Sequence, residues 1–354
     1  GTYDEAGKSY TDLRKGEGHF KTGIMTGNSA TNGGAIYVDD LYKDEAGLIL
    51  KHKKSPDYIQ ELASRTSNSG NDGFVTYVVI SEGFGSTQEK DPRIAIYGNR
   101  ADKNGGAIYA NNGVVNNSTN IVNNSAKQNG GGLAIMSAYF IQEKGAISNN
   151  TASNGGGVYM DKVEEKGSSN TTKTYYGVLR LNTSSCEVSN NNAEKIEKDT
   201  ENKTGYGGGI FGAGKLAGSG FIQNNTATNG GGLATNGNFD ASEFIGTIGI
   251  NSYENEYSSW LAIETASNKS TTYTYEYSNG EKVTLPLFSN NATNGGAIYV
   301  SVGDVTFGGS ILGNYATNGG GVYIASGTFA FGLESRAMYI ARNYATNGGG
   351  VYMA

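Results

Sequence analysis

A chain of 354 residues with 27 basic and 33 acidic side chains carries a formal net charge of −6, which argues against general affinity for nucleic acid. Only 36% of it is hydrophobic, whereas 55 residues are glycine, so a broad helical core is excluded and a narrow β core is favoured. No apolar run approaches the roughly 18 residues of a membrane-spanning helix, and Gly1-Thr2-Tyr3-Asp4 lacks the charged-then-apolar pattern of a secretion signal.

One motif recurs nine times: an aliphatic residue, two positions, Asn, one position, Ala, a short gap, then usually Asn-Gly-Gly and a small, an aliphatic and an aromatic residue. Its first copy runs from Met25 through Asn28, Ala30, Asn32, Gly33, Gly34, Ala35 and Ile36 to Tyr37. The first glycines of the pairs are Gly33, Gly105, Gly130, Gly155, Gly207, Gly230, Gly295, Gly319 and Gly348, at successive gaps of 72, 25, 25, 52, 23, 65, 24 and 29 residues. The short gaps define the unit, and the long ones read as two or three units or as one unit carrying an insertion. A period of this size belongs to a solenoid.

The repeat predicts strands. After each glycine pair Ile36, Ile108, Leu133, Val158, Ile210, Leu233, Ile298, Val322 and Val351 share one face with Val38, Ala110, Ile135, Met160, Val300, Ile324 and Met353, and that face should point inward. Tyr37, Tyr109, Tyr159, Phe211, Tyr299, Tyr323 and Tyr352 lie between them and should form an outward column, with Ala134 and Ala234 in the other two copies. A second interior column is expected from Met25, Ile96, Ile121, Ile147, Val188, Ile222, Leu287, Ile311 and Ile340. Asn28, Asn99, Asn124, Asn150, Asn191, Asn225, Asn290, Asn314 and Asn343 read as corner residues in left-handed or bridge dihedrals. Three strands and three turns per coil then make an all-β parallel β-helix over residues 1–354, with 12 or so coils reaching roughly 55 Å.

Three intervals depart from the simple coil and read as loop or hairpin insertions: roughly 39–93, 161–187 and 236–287. The first holds a basic cluster, Lys51-His52-Lys53-Lys54, and a candidate helical turn at Ile59 to Ala63. Within the second, Thr174 to Leu181 should be a strand. Cys186, the single cysteine, lies two residues before Val188, so alternation points it inward as an inert thiol. The third interval contains Thr272 to Tyr277, the turn Ser278-Asn279-Gly280-Glu281 and a return strand from Val283, a hairpin pattern. Tyr253, Tyr257, Trp260, Tyr273, Tyr275 and Tyr277 concentrate there and are the candidate ligand-contacting residues, because flat rings supply large contact area at low entropy cost. At the far end Ala354 closes the chain two positions beyond Tyr352, with no cap over the core, so further coils of the same polypeptide are expected beyond it.

The pairing of Gly-Gly-Ala-Ile, at Gly33 to Ile36, Gly105 to Ile108 and Gly295 to Ile298, with an apolar-x-x-Asn element resembles the repeats of chlamydial polymorphic outer-membrane proteins. It is also similar to large surface proteins of gut Gram-positive bacteria, in which Asn-x-Ala-Thr-Asn-Gly-Gly-Gly-Val-Tyr is a common string. The likeness spans Met25 to Tyr352, although Ile rather than Phe usually precedes the Asn here. It implies a right-handed single-stranded parallel β-helix in a secreted or surface-displayed adhesin-like protein.

The expected function is a rigid stalk displaying insertions for contact with a host protein or glycan, without catalysis. The rival is a β-helical polysaccharide lyase or glycoside hydrolase, which needs clustered carboxylates. Asp39, Asp40, Asp91, Asp102 and Asp161 do not recur in a paired pattern, and His19 and His52 neighbour no nucleophile motif. No cofactor is expected, and no metal, since the turns lack the Gly-Gly-x-Gly-x-Asp pattern of calcium-binding β-rolls.

Overall fold

The computed structural model describes residues 17–20, 23–39, 41–43, 49–51, 77–80, 94–111, 113–166, 172–194, 204–250, 272–276, 282–286, 289–332 and 338–354. Every regular element among them is a strand. The aliphatic that follows each glycine pair stacks in parallel register on its equivalent, from Ile36 on Ile108 and Leu133 through to Val322 on Val351. All of this column is buried except Val351 of the last coil, so the inward register holds. Val38, Ala110, Ile135, Met160 and Val300 are buried beside it, whereas Ile324 is half-buried and Met353 exposed at the same end.

Each coil visits three walls. A wide wall contains 16 strands and two narrow walls contain nine each. The expectation of three strands per coil needs one amendment, because the wide wall usually receives two strands from each coil. Ile108–Asn111 is followed by Val114–Asn117, and Leu133–Met136 by Tyr139–Gln142, with the chain bending at left-handed Gly113 and Ser137. In two coils the segments run through as Ile210–Gly218 and Leu233–Ala241.

Nine strands in each narrow wall mean nine coils among the described residues, not 12. At the inter-strand spacing the stack is roughly 40 Å long. The long intervals are single coils: Ile36 pairs directly with Ile108, Val158 with Ile210, and Leu233 with Ile298. Antiparallel hairpins stand out from these coils. Leu41–Lys43 pairs with Ile49–Lys51, Lys162 to Lys166 with Thr172 to Tyr176, and Thr272–Glu276 with Lys282–Pro286. The first two leave from the same seam, between the two strand positions of the wide wall. His52 to Lys54 and the candidate turn at Ile59 to Ala63 lie outside the described residues.

The second interior column is confirmed at Ile96, Ile121, Ile147, Val188, Ile222 and Ile311, all fully buried. The place expected for Leu287 belongs to another residue. Ile248 takes it, pairing with Ile222 on one side and Ile311 on the other, while Leu287 lies outside the described residues. The insertion falls between the strand and its corner, so counting three residues back from Asn290 lands in the insertion rather than in the coil.

The corner asparagines are a buried ladder. Each carboxamide Nδ2 donates to the Oδ1 of the next coil's asparagine, at 2.8–3.1 Å, through Asn28, Asn99, Asn124, Asn150, Asn191, Asn225, Asn290, Asn314 and Asn343 without a break. From Asn99 onward each Nδ2 also reaches back to an interior-column carbonyl, as Asn124 does to Ile96 and Asn150 to Ile121. The expected left-handed dihedrals belong instead to the preceding residue, namely Gly27, Gly98, Asn123, Asn149, Asn190, Asn224, Gly313 and Arg342. The corner therefore uses Gly, Asn or, before Asn343, Arg342 for the bend and a following Asn for the hydrogen bonds, so the two tasks fall on adjacent residues.

A second asparagine ladder runs outside the glycine turns with the opposite polarity. Asn104 donates to Asn32, Asn129 to Asn104, Asn154 to Asn129, Asn294 to Asn229, Asn318 to Asn294 and Asn347 to Asn318. Tyr206 interrupts it between Asn154 and Asn229. At the corner Ala101, Ala126 and Ala152, the alanines of the motif, form a separate buried cluster. Cys186 is fully buried and its Sγ donates to the Gln142 carbonyl at 3.0 Å.

Candidate functional site

The outward positions of the wide wall carry an aromatic row. Tyr37 and Tyr109 stack with ring centroids 5.1 Å apart and planes within 12°. Ala134 interrupts the row in the next coil. It resumes as Tyr159 against Phe211 at 6.0 Å, Phe211 against Tyr206 at 5.6 Å and Tyr206 against Tyr299 at 6.0 Å. Tyr299, Tyr323 and Tyr352 then stack at 5.2 Å per step. Six rings thus follow one another over roughly 24 Å of the helix axis.

The sequence predicted every member except Tyr206. It occupies the slot of the outer asparagine ladder, directly before Gly207, and its ring fills the place that Ala234 leaves empty. The signal was present, because this is the only motif copy with an aromatic in that slot. The outward assignment also holds. Tyr37 is 55% exposed and the other members are half-buried, against 0–1% for the aliphatics from Ile108 to Val322.

Partial burial comes from two contacts. The ring faces are covered by neighbouring rings, and their roots press on the glycine turn: a β-carbon on Gly130 would lie 3.1 Å from that of Tyr159, and one on Gly207 2.8 Å from that of Phe211. Burial, then a hydrogen bond to Asp161 and that carboxylate's charge, push the Tyr159 hydroxyl well above the ordinary tyrosine range; the phenol donates to Asp161 Oδ2 at 2.7 Å. Tyr299 is also raised, by burial first and then by Tyr206 and Tyr323, against a lowering hydrogen bond from Ser301. Tyr159 and Tyr299 therefore stay neutral, and where the rings are stacked, from Tyr299 to Tyr352, the row presents ring edges and hydroxyls.

The residues singled out for ligand contact are only partly placed. Tyr273 and Tyr275 lie in Thr272–Glu276, paired with Leu285 and Val283 of the return strand. Tyr253, Tyr257, Trp260 and Tyr277 lie outside the described residues. The chain leaves the coil after Ile250, whose N–H donates to the Leu312 carbonyl, and returns at Ser289, whose N–H donates to Gly313. The two ends of this excursion are therefore adjacent in space.

An indentation on the same wall is lined by Val178, Lys215, Leu216, Ala217, Asp240 and Glu243. Asp240 Oδ1 accepts both the N–H and the hydroxyl of Ser242, and Oδ2 lies 4.0 Å from Lys215. Among the described residues there is no group of three or more His, Cys, Asp or Glu placed to hold a metal ion, and no helix long and apolar enough to cross a membrane.

No curated protein and no solved structure matches the chain. Residues 23–39 and 93–111 match the repeat of the Chlamydia polymorphic membrane proteins. Each stretch contains one corner asparagine, Asn28 or Asn99, one glycine pair and the strand that follows it. The chain thus carries polymorphic membrane protein repeats, a repeat type of bacterial surface and outer-membrane proteins.

Proposed function

We propose that this chain is an adhesin-like module of a bacterial surface protein, a rigid stalk whose insertions contact a host protein or glycan. The observation that carries this reading is the unbroken inner asparagine ladder. Asn28 bonds to Asn99 across a separation of 71 residues, and Asn225 to Asn290 across 65, at the same distances as between uninterrupted coils. Insertions that leave the scaffold undisturbed are free to vary and to bind, which is the arrangement expected of loops on a rigid support. The reading is non-catalytic, and in the wall indentation, where Glu243 is the other carboxylate, Asp240 is already engaged by Ser242.

Excision tests it. Joining Gly249 to Ser289 removes all six candidate aromatics and recreates the aliphatic-x-x-Asn spacing as Ile248-Gly249-Ser289-Asn290. Each coil pairs only with its neighbours, so the variant should keep its β circular dichroism and a melting temperature within a few degrees. Binding to arrayed host surface proteins and glycans should fall at least about ten-fold. A folded variant with undiminished binding would remove the insertion at 250–288 as the contact site.

A further inference from the structure

We propose that the outward aromatic row is itself a docking strip for a linear, uncharged polysaccharide lying parallel to the helix axis. This goes beyond the insertion reading and occupies a different surface. Three observations converge on that ligand class.

The first is orientation. Tyr299, Tyr323 and Tyr352 stack at 5.2 Å with planes within 19°, so their faces are occupied. What remains for a ligand is ring edge and hydroxyl. Aromatic edges carry the positive end of the ring quadrupole and phenols donate hydrogen bonds, so the strip suits an oxygen-rich chain.

The second is period. The stacked rings repeat every 5.1–5.2 Å. An extended peptide advances roughly 3.3 Å per residue and presents the same face every second residue, so it loses register with the rings within two coils. An equatorially linked pyranose chain advances by about one coil per sugar and turns over at each, so the same sugar face returns every second coil, in register with alternate rings.

The third is charge. The row contains no Lys or Arg at any of its nine repeat positions, and the Tyr159 hydroxyl is bonded to the Asp161 carboxyl group. With a net charge of −6 on the chain, an acidic polymer is disfavoured.

The test is calorimetric titration with two uncharged β-linked hexasaccharides, of glucose and of N-acetylglucosamine, beside an acidic hexagalacturonate. Wild type should bind at least one uncharged chain and bind the acidic one at least about ten-fold more weakly. The double variant Tyr299→Phe/Tyr323→Phe keeps both rings in the stack, so it should fold normally while weakening binding about ten-fold. Joining Gly249 to Ser289 should leave this binding intact, which separates the strip from the insertion. No detectable binding of either uncharged chain at millimolar concentration, preference for the acidic chain, or undiminished affinity in the phenylalanine variant would each overturn the proposal.

Discussion

Replacing Asn150 with alanine should destabilise the protein by roughly 3 kcal/mol or more. Asn150 is fully buried, and its carboxamide serves four partners. Nδ2 donates to Asn191 Oδ1 and to the Ile121 carbonyl, while Oδ1 accepts both the backbone N–H and the Nδ2 of Asn124. Alanine leaves the buried Asn124 N–H without its side-chain acceptor and takes one bond each from Asn124 Nδ2, which keeps the Ile96 carbonyl, and Asn191 Oδ1, which keeps the Asn150 N–H; each coil is already fixed by neighbours on both sides, so little relaxation is available. Asn150→Asp preserves shape but turns a donor into an acceptor facing Asn191 Oδ1 and the Ile121 carbonyl, so it should also be strongly destabilising. Asn129→Ala removes two bonds from the half-buried outer ladder, where water replaces them, and should cost only about 1 kcal/mol. Denaturant midpoints measure all three. Equal losses at Asn150 and Asn129 would contradict the inner ladder's role.

Gly131→Ala should cost at least about 3 kcal/mol, and it acts through a different cause. A β-carbon there would overlap the Gly156 carbonyl oxygen of the next coil and lie 2.5–2.6 Å from Thr151 backbone atoms. Backbone on the adjacent coil cannot swing away like the end of a flexible side chain, so the coils must separate or the turn must rebuild. Gly27→Ala isolates the alternative cause, because Gly27 has φ +68° and a β-carbon added there would meet nothing within 4 Å. Only left-handed backbone strain remains, at about 1–2 kcal/mol. If both substitutions cost the same, close approach of coils is not why the second glycine recurs.

Much of this fold is legible because a one-coil repeat turns sequence position into spatial position. Period-two alternation placed Ile108 to Val322 inward, the tyrosines outward and Cys186 in the core. Three features were misread for physical reasons. Asn at a bend suggests a left-handed residue, yet at Asn124 or Asn150 the side-chain ladder, a contact between coils, decided the choice, and the bend moved one residue earlier. Counting along the chain assigned Leu287 to the core, because a linear count cannot tell where an excursion starts; Ile248 was already in place before it. The intervals of 72 and 65 residues supported several coil counts, since only pairing between Ile36 and Ile108, or Leu233 and Ile298, reveals a single coil. Of the candidate site, the aromatic row was visible, but the stacking that hides ring faces was not, because it depends on ring orientation rather than residue order.

Long excursions hang from single, directly stacked coils, and a crosslink across one of the long-range wall contacts tests this most directly. Thr226 and Asn291 are exposed register partners on the second narrow wall, although 65 residues separate them. Parallel neighbours lie within the roughly 4.4–6.8 Å between α-carbons that a disulfide requires. Cys186 is buried and does not compete. The double variant Thr226→Cys/Asn291→Cys should therefore close an intramolecular disulfide on mild oxidation, seen as the linked peptide pair by mass spectrometry, with unchanged circular dichroism. A folded monomer that leaves both thiols free under those conditions would mean that other coils stand between them, and would contradict direct stacking.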